Sequence, residues 1–202
     1  MTDYFILLQE PRRPWLDAAG LKQKFLGLSA SVHPDKIHAV SDDEKAAAVK
    51  AFAELNTAFN VLAEPKSRLL HLLELESGAR PPEIQQIPSH LADLFVEVAT
   101  LCKNADAFLD EKRKATSPLL QVRLFDQAQE WIEKLTAMQK KLSELRTGLD
   151  DRLKILDQTW VNTEDREARR QTLPQLEELY RLFSYFNRWG NQVQERAVQM
   201  IL

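Results

Sequence analysis

The sequence has few of the residues that interrupt helices or that cross-link a chain. Five of its 202 residues are glycine, against a usual share of roughly 7%, which argues against a loop-rich or all-β protein. A single cysteine, Cys102, cannot form an internal disulfide, and no paired Cys/His spacing indicates zinc. We therefore expect an all-α protein that needs no cofactor or metal.

Long apolar runs and an excess of positive charge are also missing. No stretch reaches the roughly 18 uncharged apolar residues of a membrane span, and the first residues lack the basic and apolar regions of a signal peptide. Together with the lone cysteine, this predicts a cytoplasmic protein with no membrane contact. The 27 Lys and Arg against 30 Asp and Glu give a net charge of −3, so nucleic acid is not an expected partner.

Nine prolines divide the chain into long segments with few turn residues, as helices joined by short breaks require. Asp17 is placed to cap a first long helix, which should stop at His33 because the residue before Pro34 is pushed out of the α region. Residues 41–44, Ser-Asp-Asp-Glu, match a capping box and predict an antiparallel return helix. Pro65 suits the first turn of another helix.

Residues 77–88 contain a helix-stopping glycine and several prolines, so we predict a linker between a domain at 1–76 and a domain at 89–202. Three apolar stripes after the linker predict a three-helix bundle. One of its helices runs from Pro118 to Trp160, over forty residues. Such stripes are far more often core than binding site, so they suggest no function by themselves.

Two details of the second domain concern helix breakers. Pro174 implies that the last helix begins near Thr172 or is kinked there. Gly148 and Gly190 lie inside helical patterns, where close packing or a helix end explains a glycine better than a flexible hinge does.

The tetrapeptide His33-Pro34-Asp35-Lys36 lies between the two predicted antiparallel helices. Proline restricts its own backbone and that of the preceding residue, so this loop should be stiff and should present the Asp35 carboxylate. That carboxylate is suited to accept a charge-assisted bond from an arginine of another protein. A local turn, in which Asp35 caps backbone amides and His33 only ends a helix, fits the tetrapeptide equally well.

This arrangement over residues 3 to 76 resembles the J-domain, the module that stimulates ATP hydrolysis by DnaK-type chaperones. Within that superfamily the chain resembles HscB, the J-domain co-chaperone of iron–sulfur cluster assembly. The residues that carry the HscB likeness are Asp3-Tyr4-Phe5, Pro14-Trp15-Leu16-Asp17, Asn56, and the segment from Pro65 to Leu73 with its arginine and leucine pairs.

The resemblance implies a chaperone-binding site at His33, Pro34, Asp35 and Lys36. J-domains also present basic side chains on the preceding helix, which Lys22 and Lys24 would supply here; an ordinary solvated helix face explains those two lysines equally well. The implied partner is an HscA- or DnaK-type ATP-dependent chaperone, and the implied role is to favour its hydrolysis-competent state.

HscB-like proteins bind the cluster scaffold, IscU, through the C-terminal helical domain. The resemblance therefore implies a client surface on the first helix after the linker, with Leu91, Phe95 and Glu97 as its residues. Leu91 as a core residue and Glu97 as a solvated residue are the plainer interpretations. The free surface of the long helix could also serve a coiled-coil homodimer.

The leading hypothesis is thus a non-enzymatic co-chaperone that stimulates an HscA- or DnaK-type ATPase and recruits a client. The alternative is a J-domain protein whose coiled-coil-like tail brings a different client to DnaK. Acid–base catalysis by His33 and Asp35 is disfavoured, because positions that flank a proline are splayed apart and no second polar cluster, phosphate loop or metal spacing accompanies them.

Overall fold

The computed structural model describes residues 2–32, 41–82, 87–163 and 165–201, and these residues form helices and no strand. The helices are α1 (Tyr4–Leu7), α2 (Ala18–Ser31), α3 (Asp42–Ala63), α4 (Pro65–Ser77), α5 (Ala92–Lys114), α6 (Pro118–Asn162), α7 (Arg166–Arg170) and α8 (Leu173–Ile201), with a 3₁₀ helix at Ser89–Leu91. The all-α prediction is confirmed.

The N-terminal helices begin where their caps predict. The Asp17 side chain accepts a hydrogen bond from Gly20 N at 2.7 Å and so caps α2, which ends at Ser31, two residues before His33. The capping box is present: Glu44 N donates to Ser41 Oγ while Ser41 N donates to the Glu44 carboxylate. Each bond satisfies a backbone group that the first helical turn leaves without a partner.

The next helix also starts and stops as expected. Pro65 occupies the first turn of α4, and the Glu64 carboxylate accepts from Ser67 N at 2.7 Å. Gly78 follows α4 with φ of 74°, a left-handed conformation that suits glycine because it carries no Cβ. The helix therefore ends where the predicted linker begins.

Three long helices, α5, α6 and α8, make up the second half, and α6 is 45 residues long. Pro174 lies in the first turn of α8, so the helix begins there and the first of the two alternatives is confirmed. The expectation for Gly148 and Gly190 is wrong. Both lie well inside helices, and apart from the chain neighbours and the nearby backbone of the same helix, no described atom lies within 4 Å of the position that a Cβ would take.

The described chain forms two compact units. One comprises residues 1–82 and 151–181, and the other comprises residues 83–150 and 182–202. In the first unit Phe5, Leu21 and Leu69 are almost fully buried, and in the second Val98, Leu135 and Val193 are. Compact packing thus joins residues 151–181 to the N-terminal unit, a grouping that the predicted division at residues 77–88 did not include.

Within the described ranges, no helix combines the length and the apolar content that crossing a bilayer requires.

Candidate functional site

The loop His33-Pro34-Asp35-Lys36 lies outside the described residues, but the helices on either side of it are described. It follows α2, which ends at Ser31, and precedes α3, which begins at Asp42. The roles of its four residues therefore stay predictions, and the structure describes the two helices that flank them.

Aromatic and aliphatic packing holds α2 and α3 together. The rings of Phe25 and Phe59 are stacked, with centroids 4.5 Å apart. Leu21 on α2 and Leu62 on α3 are buried. Because both helices bury this shared face, the opposite face of α2 is left to solvent.

The two candidate lysines of α2 differ in their surroundings. Lys22 is exposed. Lys24 Nζ donates to Gln9 O at 2.9 Å and forms an ion pair with the Glu10 carboxylate, also at 2.9 Å. Gln9 has a positive φ of 54°, which is unfavourable for a residue with a Cβ. Lys24 therefore secures a strained turn after α1 and is engaged within the molecule.

Residues 12–15 are held by several hydrogen bonds from and to α6. The Asp157 carboxylate on α6 accepts from Trp15 N and from Arg13 Nε, both at 3.0 Å, and from Arg13 Nη2. Trp160 Nε1, one turn further along α6, donates to Arg12 O at 2.9 Å. The hydrogen bonds between Arg13 and the Asp157 carboxylate raise the pKa of the Arg13 guanidinium. Asp157 is buried, and sequence reasoning gave no sign of it.

The segment from Pro65 to Leu73, part of the family likeness, turns out to hold residues 4–14 in place. Arg68 is only 3% exposed, and its guanidinium donates to Pro14 O at 2.7 Å and to Leu62 O. His71 is buried too; its Nε2 accepts from Tyr4 N at 3.1 Å, and its ring stacks on Phe5. Burial lowers the pKa of His71. These side chains are structural parts of the first unit.

The predicted client residues have different surroundings in the second unit. Leu91 ends the 3₁₀ helix and is buried, so its side chain offers little surface to a partner. Phe95 on α5 is 41% exposed, and its ring centroid lies 6.4 Å from that of the buried Trp189. Of these two residues, Phe95 is the one available for binding.

Glu97 is exposed but engaged, because its carboxylate forms an ion pair with Lys141 Nζ on α6 at 2.5 Å. Sequence reasoning missed Val96, which lies between Phe95 and Glu97 and is 59% exposed. Successive helical residues point about 100° apart, so Phe95 and Glu97 flank Val96 on either side. The three residues therefore span about 200° of the circumference of α5, with Val96 between its two neighbours, and we call them the α5 face (Phe95, Val96, Glu97).

Two observations on the described residues concern metal ligands and the cysteine thiol. No group of three or more His, Cys, Asp or Glu side chains there could hold a metal ion. Cys102 is buried, and burial raises the pKa of its thiol, which makes the nucleophilic thiolate less available.

No family model matches the chain, but comparison with known proteins finds similar ones. It is 40% identical over 73 residues to the HscB co-chaperone homolog of Azoarcus sp., and 38% identical over 73 residues to that of Chromobacterium violaceum. These two alignments cover 36% of the chain and only 41% and 42% of the relatives' own length. The HscB co-chaperone of Proteus mirabilis is 27% identical over 177 residues, which is 87% of the chain and 92% of that protein.

Solved structures agree on the fold. Human HscB has a TM-score of 0.57 at 21% identity, with 96% of this chain and 81% of that chain covered. HscB from Vibrio cholerae has a TM-score of 0.56 at 20% identity, with 98% and 99% covered. The chain is thus all-α, and the proteins that it resembles are named co-chaperones. These relatives and solved structures are named HscB, so the resemblance to HscB predicted from the residues of this chain is confirmed.

Proposed function

We propose that this chain is a cytoplasmic, non-enzymatic co-chaperone that stimulates an HscA- or DnaK-type ATPase and brings it a client. The observation that carries the proposal is His33-Pro34-Asp35-Lys36 standing between α2 and α3, two packed helices, in a chain similar to HscB over 87% of its length. The local-turn interpretation of the same tetrapeptide explains neither the packed pair nor the relatives.

In this proposal the chemistry belongs to the chaperone, and Asp35 selects one of its conformations. A carboxylate makes strong, directional hydrogen bonds to an arginine that is correctly placed. Stimulation requires that Asp35 and its neighbours bind the hydrolysis-competent state more tightly than the resting state, because a ligand with equal affinity for both shifts nothing.

The client in this proposal is an IscU-like cluster scaffold, bound at the α5 face. Phe95 and Val96 supply exposed apolar area, and the Glu97–Lys141 pair supplies polar groups beside it. An apolar centre with charges at its border is the usual composition of a protein-binding surface.

The deciding experiment is the steady-state ATPase rate of a purified HscA-type chaperone, and separately of a DnaK-type chaperone, with this protein and with Asp35→Asn. The wild type should stimulate at least one of the two, and D35N should lose nearly all of that stimulation while its circular dichroism is unchanged. D35N is close to isosteric but cannot offer a negative charge to arginine. Equal stimulation by the two proteins would rule out the proposed mechanism.

The client is tested in the same preparation by titrating a purified IscU-like scaffold. V96D should weaken scaffold binding by about tenfold, the loss expected when one buried aliphatic contact is removed, and leave basal ATPase stimulation unchanged. The matched control is V198D, at an exposed valine of α8 (44%). Normal ATPase stimulation without any scaffold binding would favour the alternative, a co-chaperone with another client.

A further inference from the structure

A cavity of about 380 Å³ opens in the second unit, where the last turn of α5, the early turns of α6 and the last turn of α8 come together. Sites for small ligands span roughly 300–1,000 Å³, so this cavity has room for a small molecule. We call it the end cavity. Its apolar lining residues are Leu124, Phe125, Ala128, Ile132, Met200 and Ile201.

The floor of the end cavity is part of the core, whereas two of its walls are open to solvent. Leu124, Ala128 and Met200 are 2–3% exposed. Phe125 and Ile201 line the same cavity but are 63% and 73% exposed. Covering such side chains is favourable because it removes apolar surface from water. The end cavity therefore offers an apolar ligand a packed floor and two walls that are buried only when the ligand binds.

Two polar side chains, Lys112 and Gln129, share the lining. Lys112 Nζ donates to Met200 O at 2.9 Å, and this carbonyl is its one hydrogen-bond acceptor among the described residues. An ammonium group has three N–H donors, so Lys112 can bind a further acceptor and keep its bond to Met200 O. The described lining residues include no Asp or Glu. The ligand that complements this lining is an anion with an apolar body.

The amount of charge favours a carboxylate over a phosphate. A single ammonium balances one negative charge, whereas a phosphate group carries about −1.5 to −2 at pH 7. A carboxylate accepts a strong charge-assisted hydrogen bond from lysine, and the side-chain amide of Gln129 is a second donor in the same lining.

We propose that the end cavity binds a small aliphatic carboxylic acid. Its alkyl chain lies on the floor of Leu124, Ala128 and Met200, and its carboxylate accepts a hydrogen bond from Lys112. Phe125 and Ile201 close over the chain. This binding is separate from the proposed co-chaperone function, because none of these residues belongs to the chaperone-binding loop or to the α5 face.

The test is isothermal titration calorimetry of the full-length protein with octanoate and, separately, with octanol. The wild type should bind octanoate about tenfold more tightly, the gain from one charge-assisted hydrogen bond. K112M removes the charge but keeps a side chain of similar length, so it should bind the two ligands equally. K112R keeps the charge and should keep the preference. The matched control is K103M, at an exposed lysine of α5, which should behave as the wild type.

A second pair of variants tests the apolar wall. F125A should weaken the binding of both ligands by about fivefold to tenfold and leave the preference for octanoate unchanged. L145A removes an exposed side chain (44%) from the same helix, about 30 Å further along at 1.5 Å per residue, and should change neither affinity.

Each assignment has an outcome that overturns it. Equal affinity of the wild type for octanoate and octanol, or an unchanged preference in K112M, would show that Lys112 does not bind the carboxylate. Absence of saturable binding of both ligands, or an equal loss in F125A and L145A, would show that the end cavity is not a ligand site. The ATPase measurements on D35N decide the co-chaperone function whichever result is obtained here. Circular dichroism of each variant checks that it is folded.

Discussion

The imidazole of His71 joins α4 to α1 only while it is neutral. Nε2 accepts a hydrogen bond from Tyr4 N. Protonation would turn Nε2 into a donor, and two N–H groups would then face each other. Burial lowers the pKa of His71 below 6.5, although the Asp3 and Glu74 carboxylates oppose the shift and Arg12 adds to it. The folded state therefore binds this proton less readily than the unfolded chain does, and stability is lost as the pH falls below 6.5.

H71F tests this dependence, since phenylalanine keeps a stacked ring and cannot titrate. At pH 7.5 the wild type should be more stable by about 1–2 kcal/mol, because H71F leaves Tyr4 N without its acceptor. The difference should narrow steadily between pH 6.5 and pH 5. Urea unfolding of both proteins, followed by circular dichroism at four pH values, measures this difference in the free energy of unfolding. A difference that is the same at every pH would contradict the assignment.

The burial of His71, Arg68 and Asp157 could not be predicted from the sequence. Each of them has a partner that lies 54 to 144 residues away, and nothing in the neighbouring residues of any of them indicates that distant partner. His71 and Arg68 were noticed as part of a family likeness, but their contacts were not. Val96 was missed because the apolar stripe of α5 directed attention to its buried positions.

Helix boundaries were predictable for the opposite reason, because the signals for them are local. Asp17, Ser41, Pro65 and Gly78 each act on backbone groups within four residues of themselves. The capping bonds and the left-handed glycine form as soon as the helix does, whatever packs on it later. The prediction of close packing or a helix end failed at Gly148, because this glycine neither ends a helix nor contributes a capping interaction.

Gly148 is an exposed glycine within α6, and a methyl group there would meet no described atom beyond its chain neighbours and the nearby backbone of its own helix. G148A should therefore stabilise the protein by about 0.5–1 kcal/mol, the difference in helix propensity. G78A provides the contrast: it forces a Cβ into the left-handed region and should destabilise by about 1 kcal/mol. Thermal unfolding of both variants measures the effect. A lower midpoint for G148A would mean that this position needs its flexibility.

The first compact unit contains contacts between distant parts of the chain, and the Arg13–Asp157 ion pair is one of them. The Asp157 side chain is 2% exposed, and that of Arg13 is 30% exposed. D157N should lower the free energy of unfolding by about 1–2 kcal/mol, because a neutral amide weakens the charge-assisted hydrogen bonds from Arg13, whose partly exposed guanidinium water can still solvate.

The matched control is D151N, on the same helix. Asp151 is exposed and pairs with Lys154 at 3.2 Å, so its loss should cost less than about 0.5 kcal/mol. Urea unfolding of the two variants beside the wild type decides the matter. Equal stability of D157N and D151N would show that residues 12–15 do not need α6.

The hydrogen bonds between residues 12–15 and α6 also determine when the first unit can finish folding during synthesis. Residues 12–15 meet Asp157 and Trp160 across 142 to 148 residues of chain. At a synthesis rate of roughly 5–20 residues per second, residues 12–15 are made roughly 7 to 30 s before their hydrogen-bond partners on α6. Translation therefore delivers the N-terminal helices long before their unit can close, because that unit becomes complete only after residues 157–160 have been made.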